Sequence, residues 1–252
     1  ARVRALEVAE ASEAAAEAAK RFLKEDAGAS ADMPLALLDL GALKRRAEVW
    51  RKNLPRVEPF YAVKCNNHPA LLGTLWQIWQ DTGAGGFDFA SPAELAAVAA
   101  LGADLGERTV YANPCKQESA VLFAKTAGVR QVVFDNVAEL VKLHRLHPTA
   151  DLVLRLQTDD SQAQCPLSNK FGARVEDCGG LLEKARELGM TVIGVSFHVG
   201  SGCSQRGAFR SAMRRARAAF DEMERQGFAP RLLDIGGGLP GSAEERVVGL
   251  SA

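Results

Sequence analysis

The residues most suited to chemistry stand late in the chain, in Asp234-Ile235-Gly236-Gly237-Gly238-Leu239-Pro240-Gly241. Three glycines after an apolar run let backbone N–H groups close around an anion, as in a phosphate nest. A tight turn alone rarely needs three in succession. The run has no GxGxxG spacing and comes late, which argues against a dinucleotide fold. Upstream, Phe197-His198-Val199-Gly200-Ser201-Gly202-Cys203 closes another apolar run. A lone strand-end histidine is more often structural than catalytic. Here it precedes a small, hydroxyl-bearing loop, so the imidazole could lie flat on an aromatic group while Ser201 donates to a phosphate. Lys64 ends Phe60-Tyr61-Ala62-Val63-Lys64. Such a lysine is commonly a snorkelling surface residue. At the inner rim of a barrel it would instead be partly desolvated, its pKa would fall, and its neutral amine could form a Schiff base with an aldehyde. Asp88 and Arg155 are charges on otherwise apolar runs, and each needs an ionic or hydrogen-bonding neighbour. A structural ion pair and a site role are equally open for them.

These residues must be positioned by a repeating scaffold. Strand-like runs fall at Phe60–Lys64, Gly86–Ala90, Thr109–Asn113, Gln131–Asp135, Leu152–Gln157, Val192–Val199 and Leu232–Gly236. Stretches with helical spacing follow the first six, at Pro69–Gln80, Pro92–Leu101, Glu118–Ala127, Val137–Leu146, Glu176–Leu188 and Ala208–Gln226. Repeated β-then-α implies an α/β protein with a parallel sheet covered by helices. An open doubly wound sheet satisfies that count. A (β/α)8-type barrel is the better reading, because Lys64, Asp88, Asn113, Asp135, Arg155, His198 and Gly236–Gly238 all stand at strand C-termini. In a barrel those ends form one face, and that face carries the chemistry. An earlier run, Leu35–Leu40, also reads as a strand, from a different sheet, before a helix-like stretch at Ala42–Asn53.

Length and composition agree. The 252 residues, with 47% hydrophobic, 31 basic and 31 acidic residues, fit one large domain of the size of many α/β barrels. The balanced charge gives no sign of nucleic acid or an anionic membrane as partner. No apolar run approaches the roughly 18 residues that span a bilayer. Cys65, Cys115, Cys165, Cys178 and Cys203 are dispersed, without a CxxC pair, which suits reduced thiols in a cytoplasmic protein and no metal site. Residues 1–26 read as an exposed amphipathic helix, too acidic for a transit peptide, and Ala27–Asp32 as a linker.

The residues then match a known family. From about Leu35 to Gly241 the chain resembles the eukaryotic ornithine decarboxylases, of the alanine-racemase-like, fold-type III class of pyridoxal-phosphate enzymes. The resemblance is carried by Pro59-Phe60-Tyr61-Ala62-Val63-Lys64-Cys65-Asn66, Tyr111-Ala112-Asn113-Pro114-Cys115-Lys116-Gln117 and Thr158-Asp159-Asp160-Ser161. It is also carried by Lys170-Phe171-Gly172, the Val195–Cys203 segment and Leu233–Gly238. It implies pyridoxal 5'-phosphate on Lys64, His198 stacked on the cofactor ring, and Ser201 and Gly238 as phosphate ligands with Gly236 and Gly237 in the same nest. Asp88, Glu94 and Arg155 would orient the lysine and the ring. It implies decarboxylation of L-ornithine to putrescine, for polyamine synthesis, by a homodimer. A decarboxylase for another basic amino acid such as lysine is an alternative. So is a non-catalytic, antizyme-inhibitor-like regulator. Such relatives tend to lose the Gly-Phe-Asp aspartate or the strand arginine, and both are present here. Leu122–His147 resembles the antizyme-contacting region.

The implied domains are 1–40, a helix and strand belonging to a second, β-rich domain; 41–241, the cofactor-binding barrel; and 242–252, a tail. The family continues past the triple glycine, through an eighth strand with a Glu-Pro-Gly-Arg segment and on to a product-protonating cysteine. The expectation is therefore a truncated barrel, unstable or inactive by itself. The run Trp76–Gly86 is about five residues longer than the family pattern, somewhat over one helical turn. The expectation places the excess in a helix–strand loop, where insertion is tolerated.

Overall fold

The computed structural model describes residues 17, 20, 21, 24, 37–159, 163, 167, 170–203 and 207–239. Helix α1 (Leu40–Asn53) leads into β1 (Phe60–Ala62), a 3-10 turn at Val63–Cys65 and α2 (Pro69–Thr82). Then follow β2 (Gly86–Phe89), α3 (Pro92–Ala99), β3 (Thr109–Tyr111), α4 (Glu118–Thr126), β4 (Gln131–Phe134), α5 (Val137–Leu146) and β5 (Asp151–Arg155). A second 3-10 turn, Val175–Asp177, precedes α6 (Cys178–Glu187), β6 (Thr191–Ser196), α7 (Ala208–Arg225) and β7 (Leu232–Asp234).

All seven strands are parallel and lie in the order β1-β2-β3-β4-β5-β6-β7. A doubly wound sheet would reverse direction along its strand order. A monotonic order is what a singly wound barrel wall gives, so the barrel expectation holds. Every strand then points its C-terminus to the same face.

The helices form where an apolar stripe can be buried and a side chain can cap the first turn. On α5, Asn136 accepts from the Glu139 N–H at 2.8 Å, and Leu140 and Leu143 are buried one turn apart. On α7, Ala208, Ala212, Ala216, Ala219 and Met223 form the buried stripe. The main core lies between helices and sheet, around Phe87, Phe89, Leu95, Leu140, Leu152 and Leu182. A smaller cluster, Val110, Val133, Val153 and Ile193 with Phe60, Ala112 and Leu232 against it, fills the barrel interior.

Two boundary expectations need correction. Leu37–Asp39 has no regular structure and Leu40 opens α1, so the strand read at Leu35–Leu40 is absent over its described residues. Asp39 caps the helix instead, its carboxylate accepting from the Ala42 N–H at 3.0 Å and from Arg45 at 2.7 Å. The apolar spacing there serves a helix start. The extra residues between Leu75 and Phe87 do not form a loop either. Helix α2 runs on to Thr82 and ends at Gly83 in the left-handed conformation. Ile78 and Trp79 are buried, and Trp79 meets the Phe87 ring edge-on at 4.5 Å. Apolar burial kept the added turn helical.

Glu17, Lys20, Arg21 and Lys24 are helical and exposed. The rest of the predicted N-terminal helix, the linker, Cys165 and the tail after Gly241 lie outside the described residues. Cys65, Cys115, Cys178 and Cys203 are free thiols. Among the described residues no helix is long and apolar enough to cross a membrane, and no cluster of His, Cys, Asp or Glu could hold a metal ion.

Candidate functional site

Side chains along a strand alternate between its two faces. The interior cluster fixes which parity points into the barrel. Val133 on β4, Val153 on β5 and Leu232 on β7 face inward. Two residues further on stand Asp135, Arg155 and Asp234. The same parity carries inward from Phe60 to Ala62 on β1, and places Asp88 level with Ala62 and Val110. Register then sets Arg155 beside Ser196 and Ser196 beside Asp234. The barrel interior is thus apolar low down and polar at its C-terminal rim.

Of the strand-end residues read from the sequence, the structure brings Lys64, Asp88, Arg155, His198 and Gly236–Gly238 to this rim. Lys64 stands in the turn after β1 and is exposed. The expectation that it ends the strand, partly desolvated, is corrected. Among the described strands β1 is an edge, with β2 as its sole neighbour, so its ladder stops at Ala62. The Lys64 ammonium still acts on both Asp88 and Asp234, favouring their charged forms.

Asp88 and Asp234 are the perturbed acids of the site. Burial pushes the Asp88 pKa up to about 7, and Asp234 and Glu94 add to the rise against Lys64 and Arg155. Asp88 Oδ1 is buried with no hydrogen-bond partner among the described residues, as is the hydroxyl of Ser196. Arg155 lies over the Phe171 ring at 5.1 Å.

Glu94 has a defined local task. Its oxygens accept from the Ala90 N–H at 2.9 Å and the Ser91 hydroxyl at 2.8 Å, and Ser91 accepts from the Glu94 N–H at 3.3 Å. This is a capping box that starts α3. It fixes the turn after β2 and hence the height of Asp88. Asn113 serves a local turn, and Asp135 ties the end of β4 to the segment before the second 3-10 turn. The first accepts from the Cys115 N–H at 3.2 Å, the second from the Gly172 N–H at 2.8 Å.

The glycine run packs directly on the histidine segment. A Cβ at Gly236 would lie 2.1 Å from the Phe197 carbonyl, and one at Gly237 would lie 2.8 Å from His198 Nε2. One at Gly238 would lie 2.8 Å from the Gly200 carbonyl. Gly236 and Gly238 have φ of +63° and +95°, the left-handed region that glycine supplies without strain. His198 Nδ1 accepts from the Gly200 N–H at 2.9 Å, so in the neutral ring Nε2, beside Gly237, carries the proton. Ser201 is exposed on the loop that touches the nest through Gly200.

Sequence reading passed over two interior residues, Ser196 and Asp234. The signal was parity: each lies two residues before a recognised one, His198 and Gly236. It also passed over a buried ion pair between the loop that precedes α4 and helix α5. Lys116 Nζ lies 2.9 Å from Glu139 Oε1 and donates to the carbonyls of Asn113 at 2.9 Å and Val133 at 2.7 Å. Burial lowers the Lys116 pKa to about 8 against the pull of Glu139. Lys142 completes the pair from the surface side.

Against known proteins, residues 40–248 match the family model for the pyridoxal-dependent decarboxylases, pyridoxal binding domain. The chain is 50% identical to the ornithine decarboxylase of Mus musculus over 209 residues, 83% of this chain and 44% of that one. It is 46% identical to antizyme inhibitor 2 of Xenopus laevis, with the same coverage. The crystal structure of the arginine decarboxylase of Paramecium bursaria Chlorella virus superposes with a TM-score of 0.83 at 36% identity, over 90% of this chain and 59% of that one. The chain therefore spans less than half the length of the curated relatives it matches.

Proposed function

Since the chain belongs to the pyridoxal-dependent decarboxylases, through their pyridoxal-binding domain, we propose that it holds pyridoxal 5'-phosphate on Lys64 and serves the decarboxylation of L-ornithine to putrescine and carbon dioxide. The observation that carries this reading is the convergence, on one face, of an exposed amine, an anion nest, a ring-sized histidine wall and a buried acid with an unpartnered oxygen. A phosphate-bearing aromatic aldehyde fits each of them. The glycine run brings backbone close where a Cβ would collide, and its turn is held by the Gly236 N–H on Asp234. The oxygens of Asp88 and Ser196, without a hydrogen-bond partner among the described residues, are sites for a polar ligand.

When bound, the cofactor supplies an electron sink for the pair released as the substrate carboxylate leaves. The protein's own groups do the rest. Lys64 Nζ would be the amine that holds the cofactor's aldehyde carbon. Gly236, Gly237, Gly238 and Ser201 would hold the phosphate, and His198, beside Gly237, would stack on the cofactor ring. Asp88 from β2 and Arg155 from β5 would orient Lys64 and the cofactor ring. Glu94 would act by fixing the turn that carries Asp88. The apolar layer below excludes water from the interior.

Ornithine as substrate, the homodimer, the cytoplasmic setting and the polyamine context rest on similarity to the ornithine decarboxylases. In the intact protein, carbon dioxide release from carboxyl-labelled L-ornithine, L-lysine and L-arginine should favour ornithine at least tenfold in kcat/KM, a discrimination of the size one or two methylenes can give. Preferred release from lysine or arginine would reassign the substrate. The similarity to antizyme inhibitor 2 supports a second reading, a regulator that binds antizyme. Asp88 and Arg155, both present and acting on one another, weigh against it. Cofactor loading without carbon dioxide from any of the three amino acids, with antizyme captured in a pull-down, would favour it.

A further inference from the structure

Asp234 has no part in the site assigned above, yet its surroundings give it one. It ends β7 with interior parity, level with Ser196. Its Oδ1 accepts the Gly236 N–H at 2.8 Å, and its carbonyl accepts the Phe197 N–H at 3.0 Å. The first bond fixes the left-handed turn at Gly236, the second fixes the strand that ends in His198. The groups facing the two acids are Lys64 from the turn after β1, Glu94 from α3 and Arg155 from β5, with His198 beyond Gly236. Burial raises the pKa of Asp234, opposed by the Gly236 N–H, Arg155 and Lys64.

We propose that Asp234 is a positioning residue that joins the two halves of the site: one carboxylate oxygen holds the Gly236 amide, and with it the glycine nest, while its charge acts on the Asp88 carboxyl across the barrel interior. This rests on the reading of the nest as the cofactor's phosphate site. Asp234→Asn keeps an oxygen acceptor for the Gly236 amide and removes the charge. Asp234→Ala removes both. The two consequences can therefore be read separately, without an activity assay.

The experiment is a fluorescence titration of the intact protein with pyridoxal 5'-phosphate, paired with a carboxyl 13C NMR titration of Asp88 assigned through Asp88→Asn. Circular dichroism checks that each variant keeps its helices. Asp234→Ala should weaken cofactor binding about tenfold, the worth of a charge-assisted hydrogen bond, with Asp234→Asn within about threefold of the parent. The Asp88 midpoint should fall below its parent value in both variants, by about half a unit or more. If Asp234→Ala does not fold, Asp234→Asn decides through the Asp88 midpoint. Equal affinities in parent and alanine variant, or an unmoved Asp88 midpoint, would overturn the proposal while leaving the cofactor reading intact. A parent protein that binds no pyridoxal 5'-phosphate would overturn both.

Discussion

At the scale of single residues, the Asp88 carboxyl sets the electrostatics of the rim. Burial carries its pKa from 3.8 to about 7, so the folded protein keeps a proton that the unfolded chain has already lost. Between those values the folded state binds more protons, and stability falls as pH rises through the window, by at most about 1.4 kcal/mol per pH unit. Asp234 is shifted in the same direction. Asp88→Asn should therefore gain on the parent protein steadily from pH 5 to pH 7 in urea midpoints and level off above. Parallel curves for the two proteins would contradict the burial of that charge. Much of this was readable in advance. A lone aspartate in Gly86-Phe87-Asp88-Phe89 and a lone arginine in Asp151–Arg155 announce buried charge. Asp234 was not read, because its own motif drew attention to the glycines after it. The exposure of Lys64 was not readable either, since it depends on where a one-sided ladder stops.

At the scale of elements, the sequence placed all seven strands and the helices α1 to α7 within a few residues, because apolar runs and stripes are what the barrel buries. It failed where the same pattern serves two outcomes. Leu35–Leu40 has strand-like content and ends as the entry to a helix. The excess length in Trp76–Gly86 reads as loop after the helix-like stretch Pro69–Gln80, yet the helix runs on to Thr82 and buries Ile78 and Trp79. Close approaches are invisible to pattern altogether. A Cβ on Gly194 would lie 1.9 Å from the Leu232 carbonyl, so β6 and β7 touch backbone to backbone there. Gly194→Ala should force β7 away, at a cost of about 2–3 kcal/mol. It should weaken pyridoxal 5'-phosphate binding as well, because β7 carries Asp234 and the nest. Gly180, inside α6 with nothing within 4 Å of a Cβ, is the control. Gly180→Ala should be neutral or stabilising by up to about 1 kcal/mol. Denaturant midpoints and cofactor titrations on both variants check this pair, and an innocuous Gly194→Ala would contradict the β6–β7 packing.

At the scale of the molecule, a monotonic parallel order separates two faces with different work. The N-terminal face holds Asp151 between Arg130, at 2.9 Å, and Arg231, at 3.8 Å, with Glu107 on the other side of Arg130 at 3.3 Å. These pairs tie strand starts together and touch nothing at the rim. The C-terminal face gathers Lys64 from β1, Asp88 from β2, Arg155 from β5, His198 from β6 and the nest from β7, residues spread over most of the chain that only this topology brings together. The claim at the centre of the account is that Lys64 is the residue through which that face holds its cofactor. Borohydride reduction of the protein with pyridoxal 5'-phosphate, followed by peptide mass mapping, tests it directly. A stable phosphopyridoxyl adduct on the peptide bearing Lys64, lost in Lys64→Ala, is the result the account predicts; an adduct confined to another lysine such as Lys116, or unchanged labelling of Lys64→Ala, would contradict it.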